Sequence, residues 1–370
     1  MLELGLQIAT AGIIAVLVTN LLVPLVRYLC QQLDILDYPD ERKLQQAPVP
    51  HLGGIAVFAG ITLGVLAAFA IGAWDGLTEL DRGRFVPLVL GSTIIFLLGL
   101  ADDMIPIAPK KKLVVQIAAA WLVVQGGWVV EVLRLPLVDD PIVLNGWLGV
   151  TLTICWIVGV TNAVNFMDGI DGLASGVVAI VSLSFLLYAL LDRNVFTVII
   201  MAATVGACLG FLRHNWAPAQ IFLGDSGSLL LGFLLAVCSI HFKTEATVAI
   251  VVPLLALGLP LMDMLLVVIS RFRAAKGTSP LAKLRGIFEP DRTHLHQYLL
   301  NFDFSRKQVV LLLYLVVAVF CAGGVLSVST GHSDWGPWLV GLEFASILLL
   351  RTLGWNRLTR RQRERAQSTS

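Results

Sequence analysis

The sequence has few charged residues for its length. Only 14% of its 370 residues are Asp, Glu, Lys or Arg, whereas about 25% is usual in a soluble chain. Apolar residues make up 57% of the chain, and the mean hydropathy is +0.84. This composition excludes a soluble globular enzyme.

A surplus of positive charge and a cysteine motif are also lacking. Twenty-six Lys and Arg stand against 25 Asp and Glu, which gives a net charge of +1, so no nucleic-acid partner is expected. The cysteines stand singly in or beside apolar runs, without a CxxC motif. We interpret them as reduced packing residues rather than as metal ligands or disulfide partners. They are Cys30, Cys155, Cys208, Cys238 and Cys321.

Long apolar runs, by contrast, are abundant. A helix needs about 20 mostly apolar residues to cross a bilayer, and the predicted fold class is an all-α integral membrane protein of about 11 transmembrane helices. Because two of the segments are short, ten transmembrane helices are the alternative. The first run has no basic leader and no cleavage site, so it is expected to be retained. The segments are 4–28, 52–73, 85–101, 112–129, 147–164, 172–191, 195–213, 226–242, 247–269, 308–328 and 337–353.

The distribution of positive charge predicts the orientation. With the N-terminus outside, 21 of the 26 Lys and Arg fall on the inner side, as the positive-inside rule requires. The C-terminus is then cytoplasmic. We expect a single polytopic membrane domain over 1–356, a basic, disordered cytoplasmic tail over 357–370, and an outer-face hairpin within 131–146.

Carboxylates gather at one predicted membrane face. Asp102 and Asp103 end the third span, Asp168 and Asp171 lie between the fifth and sixth, and Asp225 precedes the eighth. Acids near spans are candidates for function because an ionised side chain in the bilayer costs at least about 2.5 kcal/mol. A transporter is expected to carry acids at several depths. The pattern therefore favours a site at the cytoplasmic face.

The segment 162–173, NAVNFMDGIDGL, is the richest in polar oxygen. Asn162, Asn165, Asp168 and Asp171 recur every third residue, which on helical geometry keeps them near one side. Oxygen ligands alone suit Mg²⁺ or Mn²⁺. The alternative is a helix cap followed by a turn.

The segment 222–229, FLGDSGSL, places small residues around Asp225 just before a helix. Backbone amides at such a helix start bind phosphate, and the acid can hold the accompanying metal. The alternative is that Asp225 or Ser226 is an ordinary N-cap.

Two further segments add cations. Paired acids repel each other, so Asp102 and Asp103 are expected to have a metal or lysine partner. Lys112 could face a phosphate, and its neighbours Lys110 and Lys111 are interpreted as topology charges. Near the C-terminal third, the segment 290–297 supplies donors for phosphate oxygens, with a solvated helix start as the alternative. Its donors are Arg292, His294 and His296.

These segments together indicate a reaction class. Joining two phosphates is difficult because both partners are anionic, and a hard cation with cationic donors neutralises the repulsion. The residues predict a Mg²⁺-dependent phosphoryl-group transferase acting between a soluble phosphorylated donor and a lipid phosphate. A membrane transporter and a catalytically inactive scaffold are the rival hypotheses from other classes.

In their order and spacing, these motifs resemble a known superfamily, the polyprenyl-phosphate N-acetylhexosamine-1-phosphate transferases. The resemblance runs from DYPDERK at 37–43 and PVPHLGG at 48–54, through the Asp-Asp, NAVNFMDGIDGL and FLGDSGSL motifs, to DRTHLH at 291–296. The sequence is more similar to the bacterial undecaprenyl-phosphate GlcNAc-1-phosphate transferases (the WecA and TagO type of glycosyltransferase family 4) than to the peptidoglycan translocase.

The resemblance implies transfer of GlcNAc-1-phosphate from UDP-GlcNAc to undecaprenyl phosphate at the inner leaflet of a bacterial plasma membrane. UMP is released, and the lipid product begins a cell-envelope polysaccharide such as lipopolysaccharide or teichoic acid. A homodimer is left open.

The resemblance also implies roles for residues. Asp225 would bind Mg²⁺ with Asn165 and Asp168, while Asp102 and Asp103 would position or deprotonate the lipid phosphate. The remaining residues contact the substrates in this scheme. Lys112, Arg292, His294 and His296 contact phosphates, and Asp171 and Asn162 shape the nucleotide and sugar side.

Two departures from the family pattern bear on the donor. Gln297 stands where a histidine is usual, and the chain carries extra residues between Pro280 and Asp291. Another UDP-N-acetylhexosamine is therefore an alternative donor. The missing triple histidine argues against UDP-MurNAc-pentapeptide.

Overall fold

The computed structural model describes residues 2–39, 47–133, 140, 142–240, 248–274, 295–300, 302, 304–332 and 335–368. These residues form eleven long helices, one short helix and two small hairpins. The helices are α1 Leu2–Gln32, α2 Gly53–Ala68, α3 Glu79–Met104, α4 Pro109–Gln125, α5 Trp147–Met167, α6 Leu173–Leu191, α7 Val195–Asn215, α8 Gly224–Ile240, α9 Val248–Ala274, α10 Leu295–Leu300, α11 Arg306–Ser329 and α12 Gly336–Ser368.

Each predicted span coincides with one of the long helices. Among the described residues, nine helices are long and apolar enough to cross a bilayer, α2 being extended by a π-helical turn over Phe69–Ala73. The other two, α4 and α8, have 17 residues each. The prediction of an all-α integral membrane protein is confirmed, and the number and direction of the crossings stay predictions.

Helix α8 lies at the centre of the fold. Every residue from Ser226 to Ser239 is buried, because α2, α3 and α5 all pack against this helix. A helix that is apolar all round is stable only inside such a bundle. The contacts of its polar first residues, Gly224 and Asp225, therefore depend on the residues that the surrounding helices place beside them.

Glycines let the neighbouring backbones approach the start of α8. A Cβ on Gly54 would lie 2.2 Å from the amide nitrogen of Gly227, and one on Gly99 would lie 2.4 Å from the carbonyl oxygen of Asp225. The start of α2 is also hydrogen-bonded to the segment before α8, since the Gly54 amide donates to the Leu223 carbonyl at 2.8 Å. The close contact brings the end of α3 to the first turn of α8.

The two hairpins are short. Strand β1 (Leu36–Asp37) pairs antiparallel with β2 (Val49–Pro50), and β3 (Val132–Leu133) pairs antiparallel with β4 (Ile142–Val143). The second pair confirms the hairpin predicted within 131–146. Most of its turn lies outside the described residues.

Helix α12 continues through the segment for which disorder was predicted. The helix ends at Ser368, and no interruption marks residue 357. Arginine, glutamine, glutamate and leucine are good helix formers, so the chain continues the helix where its apolar run stops.

All five cysteines are free. Four of them are buried, and Cys155 is exposed on α5.

Candidate active site

The first turn of α8 is capped by a carboxylate from another helix. Asp103, at the end of α3, accepts hydrogen bonds from the Asp225 amide through Oδ1 at 2.7 Å and from the Ser226 amide through Oδ2 at 3.0 Å. The Ser226 hydroxyl also donates to Oδ2, at 2.7 Å. Asp103 thereby satisfies amides that the helix itself leaves without partners, and the side chain of Asp225 is not needed as a cap.

The carboxylate of Asp225 is held between a cation and an amide. Its Oδ2 lies 2.9 Å from Lys112 Nζ, and its Oδ1 accepts from Asn165 Nδ2 at 2.9 Å. Lys112 also contacts Asp102 Oδ2 at 2.9 Å, and Asn165 donates to the Ser228 hydroxyl at 2.8 Å. The ends of α3 and α5 and the beginnings of α4 and α8 are thus joined in one network.

A cavity of about 340 Å³ opens beside this network. Its wall includes Asn165 from α5 and four of the predicted acids. The polar residues that line it are Asp37, His51, Asp103, Asn165, Asp168, Asp171, Asn215, Asp225, Gln297 and Arg306.

Among the acids that line the cavity, Asp168 has the fewest compensating contacts from the described residues. It follows the last residue of α5, and no hydrogen bond to its carboxylate is found within the described part of the chain. Burial raises the pKa of Asp168 to about 8, and the negative charges of Asp225, Asp103 and Asp171 act in the same direction. Repulsion among neighbouring carboxylates is relieved by a cation, which makes this wall of the cavity a place for one.

The loop between α5 and α6 is tied to the segment after α7. Asp171 Oδ2 accepts from the Ala219 amide at 3.1 Å, and Asn215 Oδ1 accepts from the Gly172 amide at 2.9 Å. Asp171 therefore holds the loop in place while it lines the cavity.

Some predicted residues do not reach the cavity. Asn162 donates to Gln116 Oε1 at 2.7 Å, and this contact turns its side chain toward α4. His296 is buried, with its ring against Gly169, and its neighbour Gln297 lines the cavity instead. Arg292 and His294 lie outside the described residues.

Three of the predicted groups have partners within the protein, and their roles toward substrate stay predictions. The Asp225 and Ser226 amides were expected to bind substrate phosphate, but the Asp103 carboxylate occupies both. Lys112 was expected to face phosphate, but its ammonium group bridges two carboxylates. Asp103 was considered as a base, whereas its two oxygens accept three hydrogen bonds.

Sequence reasoning missed several cavity residues, above all His51. Its Nε2 donates to the backbone carbonyl of Asp103 at 2.7 Å, while its Nδ1 is buried without a partner among the described residues. The signal was the histidine within PVPHLGG, directly before a helix. Asp37 begins the DYPDERK segment that carries the resemblance, although no role was predicted for it. Arg306 stands at an ordinary helix start and gave no signal.

The described residues contain no cluster of three or more His, Cys, Asp or Glu side chains arranged to hold a metal ion. A cation here would be bound by few protein groups. Mg²⁺ commonly binds in this way, through one or two carboxylates together with water and substrate phosphates.

Comparisons with known proteins show the family of the chain. The family model described as glycosyl transferase family 4 matches residues 85–243. Over 326 residues the chain is 32% identical to the probable undecaprenyl-phosphate N-acetylglucosaminyl 1-phosphate transferase of Bacillus subtilis, covering 88% of this chain and 86% of that protein. The chain belongs to glycosyl transferase family 4.

Two further relatives are similar over most of their length. The decaprenyl-phosphate N-acetylglucosaminephosphotransferase of Mycobacterium leprae is 32% identical over 357 residues, which cover 90% of this chain and 87% of that protein. The undecaprenyl-phosphate alpha-N-acetylglucosaminyl 1-phosphate transferase of Escherichia coli K12 is 28% identical over 341 residues, which cover 87% of this chain and 84% of that protein.

This family 4 protein is therefore a multi-pass membrane phosphotransferase. The stretch that matches the family model contains Asp102, Lys112, Asn165 and Asp225, which form the network. His51 and Gln297 line the same cavity from outside that stretch.

Proposed function

We propose that the protein transfers GlcNAc-1-phosphate from UDP-GlcNAc to undecaprenyl phosphate and releases UMP. One observation carries the proposal: Asp225 is fixed between Lys112 and Asn165 at a cavity that Asp168 also lines. The relatives support the choice of substrates, because their names specify polyprenyl phosphates and N-acetylglucosamine.

The reaction exchanges one phosphorus–oxygen bond for another. An oxygen of the lipid phosphate attacks the β-phosphorus of the donor, and the bond from that phosphorus to the oxygen of the α-phosphate breaks. UMP leaves with the electron pair, and the lipid carries a diphosphate linked to GlcNAc. A phosphate is already ionised near neutral pH, so Asp103 can remain a capping group while the acceptor attacks.

The residues present fit a magnesium ion at Asp225. Asn165 donates through its Nδ2 to Asp225 and Ser228, so its amide oxygen is left for another partner. Asp168 adds a carboxylate on the same cavity wall. Bound there, Mg²⁺ supplies positive charge to the diphosphate oxygens. Lys112 holds the Asp225 carboxylate in position, and Arg306 adds a cation to the cavity wall.

The site lies at the cytoplasmic face in this proposal. The ends of α3 and α5 and the starts of α4 and α8 meet at the network, and the positive-inside rule assigns that side to the cytoplasm. A bacterial plasma membrane supplies undecaprenyl phosphate on this leaflet. The lipid product would be the first membrane-bound intermediate of an envelope polysaccharide.

A donor panel tests the substrate assignment. The purified protein in lipid nanodiscs receives undecaprenyl phosphate, Mg²⁺ and one donor at a time: UDP-GlcNAc, UDP-GalNAc, UDP-glucose or UDP-MurNAc-pentapeptide. We expect UMP and a lipid product from UDP-GlcNAc at the highest kcat/KM. UMP from another donor alone would overturn the sugar assignment, and UMP from none would overturn the function.

Substitution of Asp225 tests the metal. Asp225→Asn keeps an oxygen for Asn165 but removes the charge, and we expect UMP release to fall below detection at any Mg²⁺ concentration. Asp192→Asn is the matched control, because Asp192 follows the last residue of α6 and does not line the cavity. Full activity of Asp225→Asn would remove Asp225 as a metal ligand.

A further inference from the structure

The turn that opens α6 is held by a side chain from the C-terminal third of the chain. Tyr314, on α11, donates its phenolic hydroxyl to the backbone carbonyl of Gly172. Gly172 has φ +78 and is the N-cap of α6. It ends the loop that begins with Asp168, so the phenol is bonded to the backbone of a loop that lines the candidate active site.

Gly176 and Trp216 pack on either side of the Tyr314 phenol. A Cβ on Gly176 would lie 1.7 Å from the Tyr314 hydroxyl oxygen, so glycine at this position leaves the space that the phenol fills. On the other side, the rings of Tyr314 and Trp216 lie 6.3 Å apart at 49°. Any residue larger than glycine at 176 would push the hydroxyl away from the Gly172 carbonyl.

The hydrogen bond from Tyr314 reaches this loop from a different helix than the other hydrogen bonds that fix it. Asn215 and the Ala219 amide fix Gly172 and Asp171 from α7 and the segment that follows it. Tyr314 fixes the same turn from α11. With both sides held, the position of Asp171 relative to the cavity is set by two independent supports.

We propose that Tyr314 is a positioning residue for the donor subsite, acting through the Gly172 carbonyl with Gly176 as its seat. The assignment of this loop to the donor rests on the proposed function. The Tyr314 hydroxyl is bonded to backbone, so its loss acts on loop geometry rather than on reacting atoms. The effect falls on the donor KM, because the resemblance assigns Asp171 of this loop to the nucleotide and sugar side. The contacts that hold Asp225 come instead from Lys112 and Asn165.

Kinetics of Tyr314→Phe in nanodiscs test the proposal. Removing the hydroxyl deletes one hydrogen bond and keeps the ring against Trp216. We expect the donor KM to rise roughly 3- to 10-fold, as loss of a net hydrogen bond predicts. The acceptor KM should stay within twofold. Tyr28→Phe is the matched control, since Tyr28 is an exposed tyrosine on α1, and it should change neither constant.

Gly176→Ala separates positioning from a general loss of stability. The added methyl group displaces the phenol, so this variant should raise the donor KM as Tyr314→Phe does. The double variant should resemble the singles rather than multiply their effects. A fall in Tm with the donor KM unchanged, or equal rises in donor and acceptor KM, would overturn the proposal.

The test of Tyr314 can fail or succeed independently of the donor-sugar assignment. Should the wild type use another donor in the panel, the same KM ratios are measured with that donor. The role of Tyr314 is then supported or overturned independently of the sugar assignment.

Discussion

Asp103 caps the helix that carries Asp225, with its Oδ1 2.7 Å from the Asp225 amide nitrogen. A negative charge at this position also complements the positive end of the α8 dipole. The adjacent acid, Asp102, turns to Lys112 instead. Two neighbouring carboxylates therefore do different things: one orders the backbone of the site, and the other helps to hold the lysine that contacts Asp225.

A capping role for Asp103 predicts different outcomes for two substitutions. Asp103→Asn keeps one acceptor oxygen, so it should retain measurable UMP release and lose little stability. Asp103→Ala removes every acceptor and should destabilise the protein by about 0.5–2 kcal/mol, as loss of an N-cap does. Melting temperature and UMP release check this. Equal inactivity of both variants at an unchanged Tm would identify Asp103 as a chemical participant instead.

Because Lys112 bridges Asp102 and Asp225, its loss should destabilise the protein, and removing one of the two acids should restore part of the stability. Lys112→Met leaves Asp102 and Asp225 unneutralised, and since all three side chains are mostly buried, unfolding should become easier by about 1–3 kcal/mol. Adding Asp102→Asn removes one of the two charges and should recover part of the Tm without recovering activity.

Lys111→Met provides the control for Lys112. Lys111 is exposed, so its substitution should change neither Tm nor turnover. An equal loss of Tm in the two lysine variants would show that the bridge contributes no stability.

The long helices could be predicted from the sequence because an apolar run is a signal along the chain itself. The partners across helices could not. Asn162 and Asn165 stand three residues apart and about 60° apart around a helix, so one faces Gln116 and the other faces Asp225. Likewise Asp102 and Asp103 are about 100° apart, which sends them to different neighbours. Which neighbour stands there depends on how α4 and α8 pack.

The same limit explains Tyr314 and His51. Tyr314 is one tyrosine in an apolar helix, and nothing along α11 indicates that Gly176 leaves room for its ring. His51 was visible as a polar residue before a helix, but its bond to the Asp103 carbonyl requires that the start of α2 and the end of α3 meet beside α8. Predicted segments thus located the site, and packing decided which side chains enter it.

The raised pKa of Asp168, about 8, predicts a pH-dependent stability. Between pH 4 and pH 8 the unfolded chain has released this proton and the folded protein retains it, so the contribution of Asp168 to stability falls as pH rises through this range and levels off above pH 8. Asp168→Asn cannot ionise. Its Tm should therefore exceed that of the wild type by an amount that grows from pH 5 to pH 8, without donor or Mg²⁺.

Asp192→Asn is measured in parallel with Asp168→Asn. The two variants remove the same charge, but only Asp168 lies among other acids at the cavity. A Tm difference between wild type and Asp168→Asn that stays constant from pH 5 to pH 8 would contradict the raised pKa.

Glu343 is a buried acid that does not line the cavity. It lies on α12 within a candidate span, it is fully buried, and neither of its carboxyl oxygens has a hydrogen-bond partner among the described residues. The carboxyl group packs on α9 at Gly258, where a Cβ would lie 2.3 Å from Oε2. An ionised carboxylate in such surroundings is costly, so we expect Glu343 to contribute as an uncharged side chain.

If Glu343 is uncharged in the folded protein, replacing its carboxyl group with an amide should cost neither stability nor activity. Glu343→Gln has nearly the same shape and no charge, so its Tm and UMP release should match those of the wild type. Glu343→Ala leaves a cavity and should lower stability by about 1–3 kcal/mol, and Gly258→Ala should also lower it because its methyl group overlaps the carboxyl group. Thermal unfolding in nanodiscs measures all three, with Glu79→Gln in the first turn of α3 as a control. A loss of stability in Glu343→Gln as large as in Glu343→Ala would mean that the acid is ionised and paired.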